Sequence, residues 1–234
     1  MYIEQYGPDG GPDLVCLFGW GNRLSHENVQ WFITQFVDAG YRVHAFELPL
    51  RLEDFYQDFL APVEQYVTDL DSFRLVGHST GGLLAAYVEG AQTETYLSPW
   101  WGFRESVLAP GEMFLSLVSA LPISRRVLPK ASWTEAHLGE LVTETELADS
   151  PEWIAPTFIR EARNAQRHRP PIPEDAVVFC SLSDAVVSVQ AIGEGVPADR
   201  TILYDGGHEL FSSPSRDNHV ETLLTVVDRG ADAL

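Results

Sequence analysis

The sequence predicts an α/β fold: a mostly parallel central sheet flanked by helices on both faces, with a small helical cap inserted between strands. Short apolar runs alternate with longer stretches in which apolar residues recur every three or four positions, as in strands alternating with amphipathic helices. Most of the short runs are too apolar to have a solvent-facing side, which is typical of strands inside a parallel sheet. One long stretch without a convincing strand, residues 99–173, predicts the cap.

The predicted elements follow one another along the chain. The strands are residues 13–18, 41–47, 73–77, 95–98, 176–180 and 201–205, and the helices are residues 27–39, 52–70, 82–90 and 218–227. Apolar residues recur at helical spacing most clearly in residues 52–70, where Pro62 is expected to kink or split the helix.

The insertion is too long for a plain crossover between two strands, and prolines punctuate its helical pieces. We therefore expect residues 1–98 and 174–234 to form the core and residues 99–173 to form the cap. An arginine cluster near the end of the cap predicts a solvated helix face paired with carboxylates, with an anion-binding site as the alternative. Its members are Arg160, Arg163, Arg167 and Arg169.

Composition limits the partners. Asp and Glu number 34 against 15 Lys and Arg, which gives a net charge of −19. This excess argues against nucleic acid or an anionic membrane surface as the main partner. Lys130 is the single lysine, and an acidic, lysine-poor chain resembles proteins of salt-loving organisms, whose molar cytosolic salt shortens the Debye length to about 3 Å. An ordinary acidic protein is the alternative.

The chain shows no sign of a targeting or membrane segment. Its first ten residues have no basic region followed by an apolar run, and no stretch approaches the roughly 18 consecutive apolar residues of a membrane span. A cytoplasmic protein is the expectation. Cys16 and Cys180 lie in apolar strand-like runs, which predicts buried free thiols, with one disulfide as the alternative.

A possible nucleophile lies in the sequence Gly77-His78-Ser79-Thr80-Gly81, between a predicted strand and a predicted helix. In a G-x-S-x-G elbow the serine sits on a tight, strained turn that lifts its hydroxyl clear of the sheet. A Cβ at either flanking glycine is expected to collide with the neighbouring strand or helix. The sequence therefore predicts Ser79 as a catalytic nucleophile.

A serine nucleophile needs a base, and the base needs an orienting carboxylate. His208 follows the last predicted strand after two glycines, so a loop can carry its imidazole across the top of the sheet. Asp184 follows the preceding predicted strand and so belongs to the edge where Ser79 and His208 are expected. Asp205 and Glu209 are minor candidates for the carboxylate, since each would have to fold back on the same short loop.

Acyl transfer also needs donors for the oxyanion. Residues 18–22 form a glycine-rich turn after the first apolar strand, and its N–H groups can face the elbow. The predicted donors are the backbone N–H groups of Trp20 and Thr80. An ordinary β-to-α turn with a packing tryptophan is the alternative.

Aromatic residues at the start of the cap suggest a substrate pocket above Ser79. Trp100, Trp101 and Phe103 are the candidates, together with the apolar residues Met113, Phe114 and Leu115. An apolar lining favours an apolar acyl group. The same residues would equally suit the seam between cap and sheet.

The order Ser79, Asp184, His208, together with the elbow, the glycine turn and the cap, resembles the α/β-hydrolase superfamily of serine esterases, lipases and thioesterases. The resemblance implies that Ser79 is the nucleophile, His208 the base and then the acid, Asp184 the orienting acid, and Trp20 and Thr80 the amide donors. It also implies that no cofactor and no metal are needed. The expected function is hydrolysis of a small-molecule carboxylic ester or thioester through an acyl-serine intermediate. A lyase or C–C bond hydrolase of the same fold, or a non-catalytic binding member, is the alternative.

Overall fold

A seven-stranded sheet forms the centre of the computed structural model, which describes residues 1–104, 121–129 and 133–234. In chain order the strands are β1 (Tyr2–Tyr6), β2 (Asp13–Leu17), β3 (Arg42–Glu47), β4 (Arg74–His78), β5 (Glu94–Leu97), β6 (Leu128–Pro129), β7 (Trp153–Ile154), β8 (Val177–Cys180) and β9 (Thr201–Leu203). The order across the sheet is β1-β3-β2-β4-β5-β8-β9. β1 pairs antiparallel with β3, and the other neighbours in this sheet pair parallel.

Helices cover both faces of the sheet. They are α1 (Glu27–Asp38), α2 (Ala61–Val67), α3 (Thr80–Ala85), α4 (Glu135–Leu138), α5 (Glu144–Asp149), α6 (Pro156–His168), α7 (Val189–Gly195) and α8 (Val220–Arg229). Alternate strand residues point to opposite faces: Cys16 packs with the α1 and α8 side, and Leu17 packs with the α2, α3 and α6 side. Two buried apolar clusters therefore enclose the sheet, and the predicted fold class is confirmed.

The six predicted strands are present with small shifts at their ends, whereas the edge strand β1 was not predicted. Its residues are mostly exposed, so it lacks the apolar run that marks a buried strand. The predicted helix over residues 52–70 is shorter than expected and is not split at Pro62, because the turn before Pro62 runs directly into α2. Residues Tyr56–Leu60 form a π-helical turn, and Pro62 lies in the first turn of α2, where its missing N–H costs no hydrogen bond.

Residues 99–173, here called the inserted segment, connect the adjacent strands β5 and β8. Its described part contains α4, α5, α6 and a two-residue ladder in which Leu128 pairs with Ile154 and Pro129 with Trp153. The sequence predicted no strand here, and this prediction was wrong because two-residue strands are too short to show a period. No helix within the described residues combines the length and the apolar character needed to cross a membrane.

The arginines of the inserted segment have different surroundings. Arg160 pairs with Glu161 at 2.8 Å, as the prediction of a solvated face supposed. Arg169 differs, since its guanidinium lies 4.4 Å from the centre of the Trp101 ring and is half-buried. Burial lowers the pKa of Arg169 below its usual value.

Both cysteines are buried free thiols, as the apolar runs around them predicted. Burial raises the pKa of both thiols, to about 11 for Cys180. Neither thiol is therefore a thiolate at neutral pH.

Candidate active site

Ser79 lies on the turn between β4 and α3, with φ 52° and ψ −118°. A non-glycine residue in this conformation costs about 1–3 kcal/mol and persists only where its surroundings hold it. Here the Ser79 N–H donates to the Leu97 carbonyl at 3.0 Å. The Ser79 carbonyl accepts from the N–H groups of Leu83 at 3.0 Å and Trp100 at 2.9 Å. Backbone hydrogen bonds to two neighbouring segments therefore hold the serine at the edge of the sheet.

Glycines on both sides of Ser79 allow this turn to exist. A Cβ added at Gly81 would lie 2.0 Å from the Leu17 carbonyl oxygen, and one added at Gly77 would lie 2.6 Å from the Ala85 Cβ. Both distances are shorter than any real Cβ contact. The collisions expected from the sequence are therefore found, with β2 on one side and α3 on the other.

The structure brings Ser79, His208 and Asp184 together from three distant parts of the chain. Nε2 of His208 lies 2.8 Å from Ser79 Oγ, and Nδ1 lies 2.7 Å from Asp184 Oδ2. The other oxygen of Asp184 accepts from the backbone N–H groups of Val186 at 2.7 Å and Val187 at 3.0 Å. All three side chains are buried. The carboxylate is thus fixed by main chain, and the imidazole is held between the carboxylate and the hydroxyl.

The electrostatics of this pair favour a charged carboxylate beside a basic imidazole. Burial would raise the pKa of Asp184, but the charge and hydrogen bond of His208 and the two N–H donors outweigh it, so its pKa is lowered. Burial would lower the pKa of His208, but the charge of Asp184 and the bond to it outweigh burial, so its pKa is raised. An ionised Asp184 assigns the proton to Nδ1 and leaves Nε2 free to accept from the Ser79 hydroxyl.

The loop that carries His208 is held from two sides. The buried Tyr204 hydroxyl lies 2.8 Å from the His208 carbonyl oxygen and 3.0 Å from Ser98 Oγ at the end of β5. On the other side, the His208 N–H donates to the His137 carbonyl of α4 at 2.9 Å. The position of the imidazole therefore depends on the core and on the inserted segment together.

The turn after β2 lies directly against the elbow. A Cβ at Gly19 would be 3.1 Å from Ser79 Cβ. Within the described residues, the backbone N–H groups of Trp20 and Thr80 have no hydrogen-bond partner. Both residues line the same cavity as Ser79, and two backbone donors without a partner are what an oxyanion hole requires.

A cavity of about 330 Å³ opens over Ser79 and His208. Four aromatic rings form one of its walls: the ring centres of Trp20 and Phe158 are 4.6 Å apart, those of Trp100 and Phe158 6.1 Å, and those of Trp100 and Phe103 4.9 Å. The structure thus places Trp100 and Phe103, two of the predicted pocket residues, on this wall.

Trp101 has a different position from the one predicted. Its ring is buried against Tyr96, and its Nε1 donates to the Gly82 carbonyl at 3.2 Å. Trp101 therefore lies in the core and not on the cavity wall, which corrects the pocket prediction for this residue and agrees with the alternative that it packs against the sheet. The other three apolar candidates, Met113, Phe114 and Leu115, lie outside the described residues.

Sequence reasoning named Glu209 as a minor candidate but missed the hydrogen bonds that its carboxyl makes beside the site. The carboxyl of Glu209 contacts Asn22 at 2.9 Å and Ser212 at 2.6 Å, so Glu209 does not take the place of Asp184. Asp205, the other minor candidate for the carboxylate, is exposed. No local pattern could have revealed the pairing of Asn22 with Glu209, because the two residues are 187 positions apart.

Comparisons with known proteins identify the fold family. A model of the alpha/beta hydrolase family matches residues 15–220. Among solved structures, the chain is similar to a soluble variant of monoglyceride lipase from Saccharomyces cerevisiae, with 12% identity, a TM-score of 0.74 and coverage of 97% of this chain and 90% of that one. It is also similar to monoacylglycerol lipase from Paleococcus ferrophilus, with 15% identity, a TM-score of 0.71 and coverage of 100% and 99%.

An esterase from Exiguobacterium antarcticum has 16% identity, a TM-score of 0.65 and coverage of 97% of this chain and 95% of that one. Likeness at these identities shows a common fold. No curated protein sequence matches the chain. Since the family model spans most of the sequence, the chain belongs to the alpha/beta hydrolase family.

Proposed function

We propose that this protein is a serine hydrolase that cleaves a carboxylic ester or thioester with an apolar acyl group through an acyl-Ser79 intermediate. The observation that carries the proposal is the continuous chain of hydrogen-bond distances from Asp184 through His208 to Ser79, at 2.7 and 2.8 Å, at the floor of the cavity. Nucleophile, base and orienting acid in this arrangement activate a hydroxyl for attack on a carbonyl carbon.

Acylation begins when Ser79 Oγ attacks the substrate carbonyl and His208 Nε2 takes its proton. The carbonyl oxygen becomes an oxyanion, and the N–H groups of Trp20 and Thr80 are the donors that stabilise it. Asp184 stabilises the imidazolium formed on His208. The imidazolium then protonates the leaving alcohol or thiol as its bond to the acyl carbon breaks, which leaves the acyl group on Ser79.

Deacylation repeats these steps with water. His208 takes a proton from the water as its oxygen attacks the acyl carbon, and returns a proton to Ser79 Oγ as the acyl-oxygen bond breaks. The products are the carboxylic acid and the free enzyme. The net reaction consumes one water per ester, with no change in oxidation state.

The cavity supports an apolar acyl group of limited size. Its aromatic wall gives an acyl chain a surface on which to be buried, and its volume is near the lower end of the roughly 300–1,000 Å³ typical of small-molecule sites. We include in this proposal that residues 99–173 act as a cap over a core formed by residues 1–98 and 174–234. The cavity is lined in part by three apolar residues of the inserted segment, Leu138, Val142 and Ile154.

Hydrolysis of p-nitrophenyl esters of graded chain length tests this proposal. Ser79→Ala is expected to lower kcat/KM by at least about 10⁴-fold, because the remaining groups of a triad do not act without the nucleophile. Ser72→Ala is the matched control, since Ser72 is exposed on the turn before β4. Turnover by Ser79→Ala at the parent rate would refute the mechanism.

A further inference from the structure

Glu209 is a buried carboxyl group that the proposed mechanism does not use. It follows His208 directly, is 6% exposed and lines the cavity. Its Oε1 accepts from Asn22 Nδ2 at 2.9 Å, and its Oε2 accepts from Ser212 Oγ at 2.6 Å. Burying a carboxyl group costs free energy unless its oxygens accept hydrogen bonds, and here each oxygen accepts one from a side chain.

Asn22 connects this carboxyl group to the turn after β2. Asn22 Oδ1 lies 3.1 Å from the Gly19 N–H and 3.2 Å from His78 Nδ1. A backbone N–H can only donate, so the oxygen of the amide must face Gly19 and its nitrogen must face Glu209.

The same rule assigns the proton of His78. Its Nδ1 faces an acceptor and therefore carries the proton, and Nε2 has no partner among the described residues. Burial, followed by the charge of His208, holds the pKa of His78 well below its usual value, which keeps the ring neutral. The three hydrogen bonds of the Asn22 amide, to Glu209, Gly19 and His78, are therefore consistent with a single placement of the protons.

From this geometry, and resting on the proposed function, we propose that Asn22 and Glu209 are positioning residues for catalysis. Their hydrogen bond ties the turn that presents the Trp20 N–H to the loop that presents the His208 imidazole. The turn supplies an N–H donor to the oxyanion, and the loop supplies the imidazole that transfers the proton. Both groups act in the same transition state, so both must be correctly placed at the same time. Catalytic groups must be held to within about 0.5 Å of the productive geometry, so a direct bond between the two loops preserves their register.

The carboxyl of Glu209 also acts on its surroundings through its charge. Burial raises its pKa, and the bonds from Ser212 and Asn22 and the charge of His208 oppose that rise only in part. Its neighbours that titrate are His208, Glu146 and Tyr204; His208 in turn faces Asp184 and His78. An ionised Glu209 helps to raise the pKa of His208.

A raised folded-state pKa means that ionised Glu209 destabilises the fold as the pH rises above the ordinary glutamate range. Glu209→Gln should therefore leave the melting temperature at neutral pH unchanged or raised. Its amide oxygen still accepts from Asn22 and its amide nitrogen can donate to Ser212, so this variant keeps the connection and removes the charge.

Steady-state kinetics on a p-nitrophenyl ester, with melting temperatures for every variant, test the proposal. Asn22→Ala and Glu209→Ala are each expected to lower kcat by about 10- to 100-fold with KM within about threefold, because a misplaced donor weakens transition-state stabilisation. The double variant should lose no more than either single variant, since both remove the same connection. Asn22→Asp, which keeps the volume and the acceptor for Gly19, should also lose activity.

Two further variants separate positioning from support of the fold. Ser212→Ala removes the other bond to the same carboxylate without touching the turn, and should keep kcat within about threefold. Glu209→Gln keeps the bond to Asn22 and should therefore recover most of the kcat that Glu209→Ala loses, while the acid limb of its kcat/KM profile moves to lower pH because His208 loses a negative neighbour. A merely structural role would not move that limb.

Binding of an alkyl boronic acid gives a readout independent of turnover. Its tetrahedral adduct with Ser79 places an oxygen at the proposed oxyanion position, so Asn22→Ala should weaken binding by the factor lost in kcat. Parent kcat and parent boronate affinity in folded Asn22→Ala and Glu209→Ala would overturn the proposal. Failure of the proposed function would show differently, as parent-level esterase activity in Ser79→Ala.

Discussion

The edge of the sheet and the inserted segment are held in place by different means. At the sheet edge, main-chain groups fix the reactive side chains: Ser79 through its backbone hydrogen bonds, and Asp184 through two N–H donors. In the inserted segment, hydrogen bonds of side chains hold α5 against the core. Glu146 of α5 accepts from the Asn28 N–H at 3.1 Å and from Asn28 Nδ2 at 2.8 Å. The positions of Ser79 and Asp184 therefore depend on backbone conformation, whereas the position of α5, which contributes Glu146 to the cavity lining, depends on polar contacts between distant residues.

The two regions meet at one backbone junction. The N–H groups of His208 and Glu209 donate to the carbonyls of His137 and Leu138 at 2.9 and 2.7 Å. A movement of α4 away from the core would therefore disturb the loop that carries the imidazole. Variants in each region should accordingly separate effects on folding, on binding and on the chemical step.

The largest effect is expected from Gly81→Ala at the sheet edge. The new Cβ would meet backbone of Leu17 at 2.0 Å, and backbone cannot move aside as a flexible side chain can. We expect a loss of more than about 4 kcal/mol in the free energy of unfolding, or no folded protein, measured by urea denaturation. Gly193→Ala is the control, because a Cβ at Gly193 meets no atom within 4 Å, and it should be neutral or stabilising.

A smaller effect is expected from Glu146→Ala in the inserted segment. The change leaves the Asn28 and Thr143 N–H groups without their carboxylate acceptor. The free energy of unfolding should fall by about 2–3 kcal/mol, the cost of unpaired buried donors. Because Glu146 lines the cavity, KM should rise, while kcat stays within about threefold. Glu144→Ala, an exposed neighbour on α5, should change neither quantity; a large fall in kcat for Glu146→Ala alone would contradict the separation of the two regions.

The pH dependence of kcat/KM should be determined by His208 and Asp184 at the sheet edge, and variants in the inserted segment should leave it unchanged. Only neutral His208 accepts the serine proton, so activity falls as the pH drops through the folded-state pKa of His208. That pKa is raised, which places the midpoint of the acid limb above the ordinary value of about 6.5. Asp184→Asn should move the midpoint down and lower kcat, while Glu146→Ala should leave the midpoint unchanged. An acid limb well below pH 6.5 in the parent protein would contradict the assignment of His208 as the base.

The smallest effect is expected from salt, which acts on the whole surface. A net charge of −19 repels itself when screening is removed, so we expect the melting temperature to fall by a few degrees between about 2 M and 0.05 M KCl, equivalent to about 1 kcal/mol. Activity should fall with it. Full activity and an unchanged melting temperature in salt-free buffer would contradict an adaptation to high salt.

The contrast between the regions also explains what the sequence could predict. Ser79 was recognisable because its glycine neighbours and its place between a strand and a helix are local. His208 and Asp184 were recognisable because each follows a strand whose end lies at one edge of the sheet. Strand β1 was missed because its residues are mostly exposed and form no apolar run. The position of Trp101 was missed because side-chain directions in a turn follow no repeating pattern in the sequence. Contacts such as Asn22 with Glu209 depend on the assembled fold.

Labelling with a fluorophosphonate tests most directly whether the sheet edge generates a nucleophile at Ser79. We predict one equivalent of label per chain by intact mass, located on Ser79 by peptide mapping, absent in Ser79→Ala and slowed at least about 100-fold in His208→Ala. Ester turnover without label on Ser79, or equal labelling of the parent and Ser79→Ala, would contradict the acyl-enzyme route.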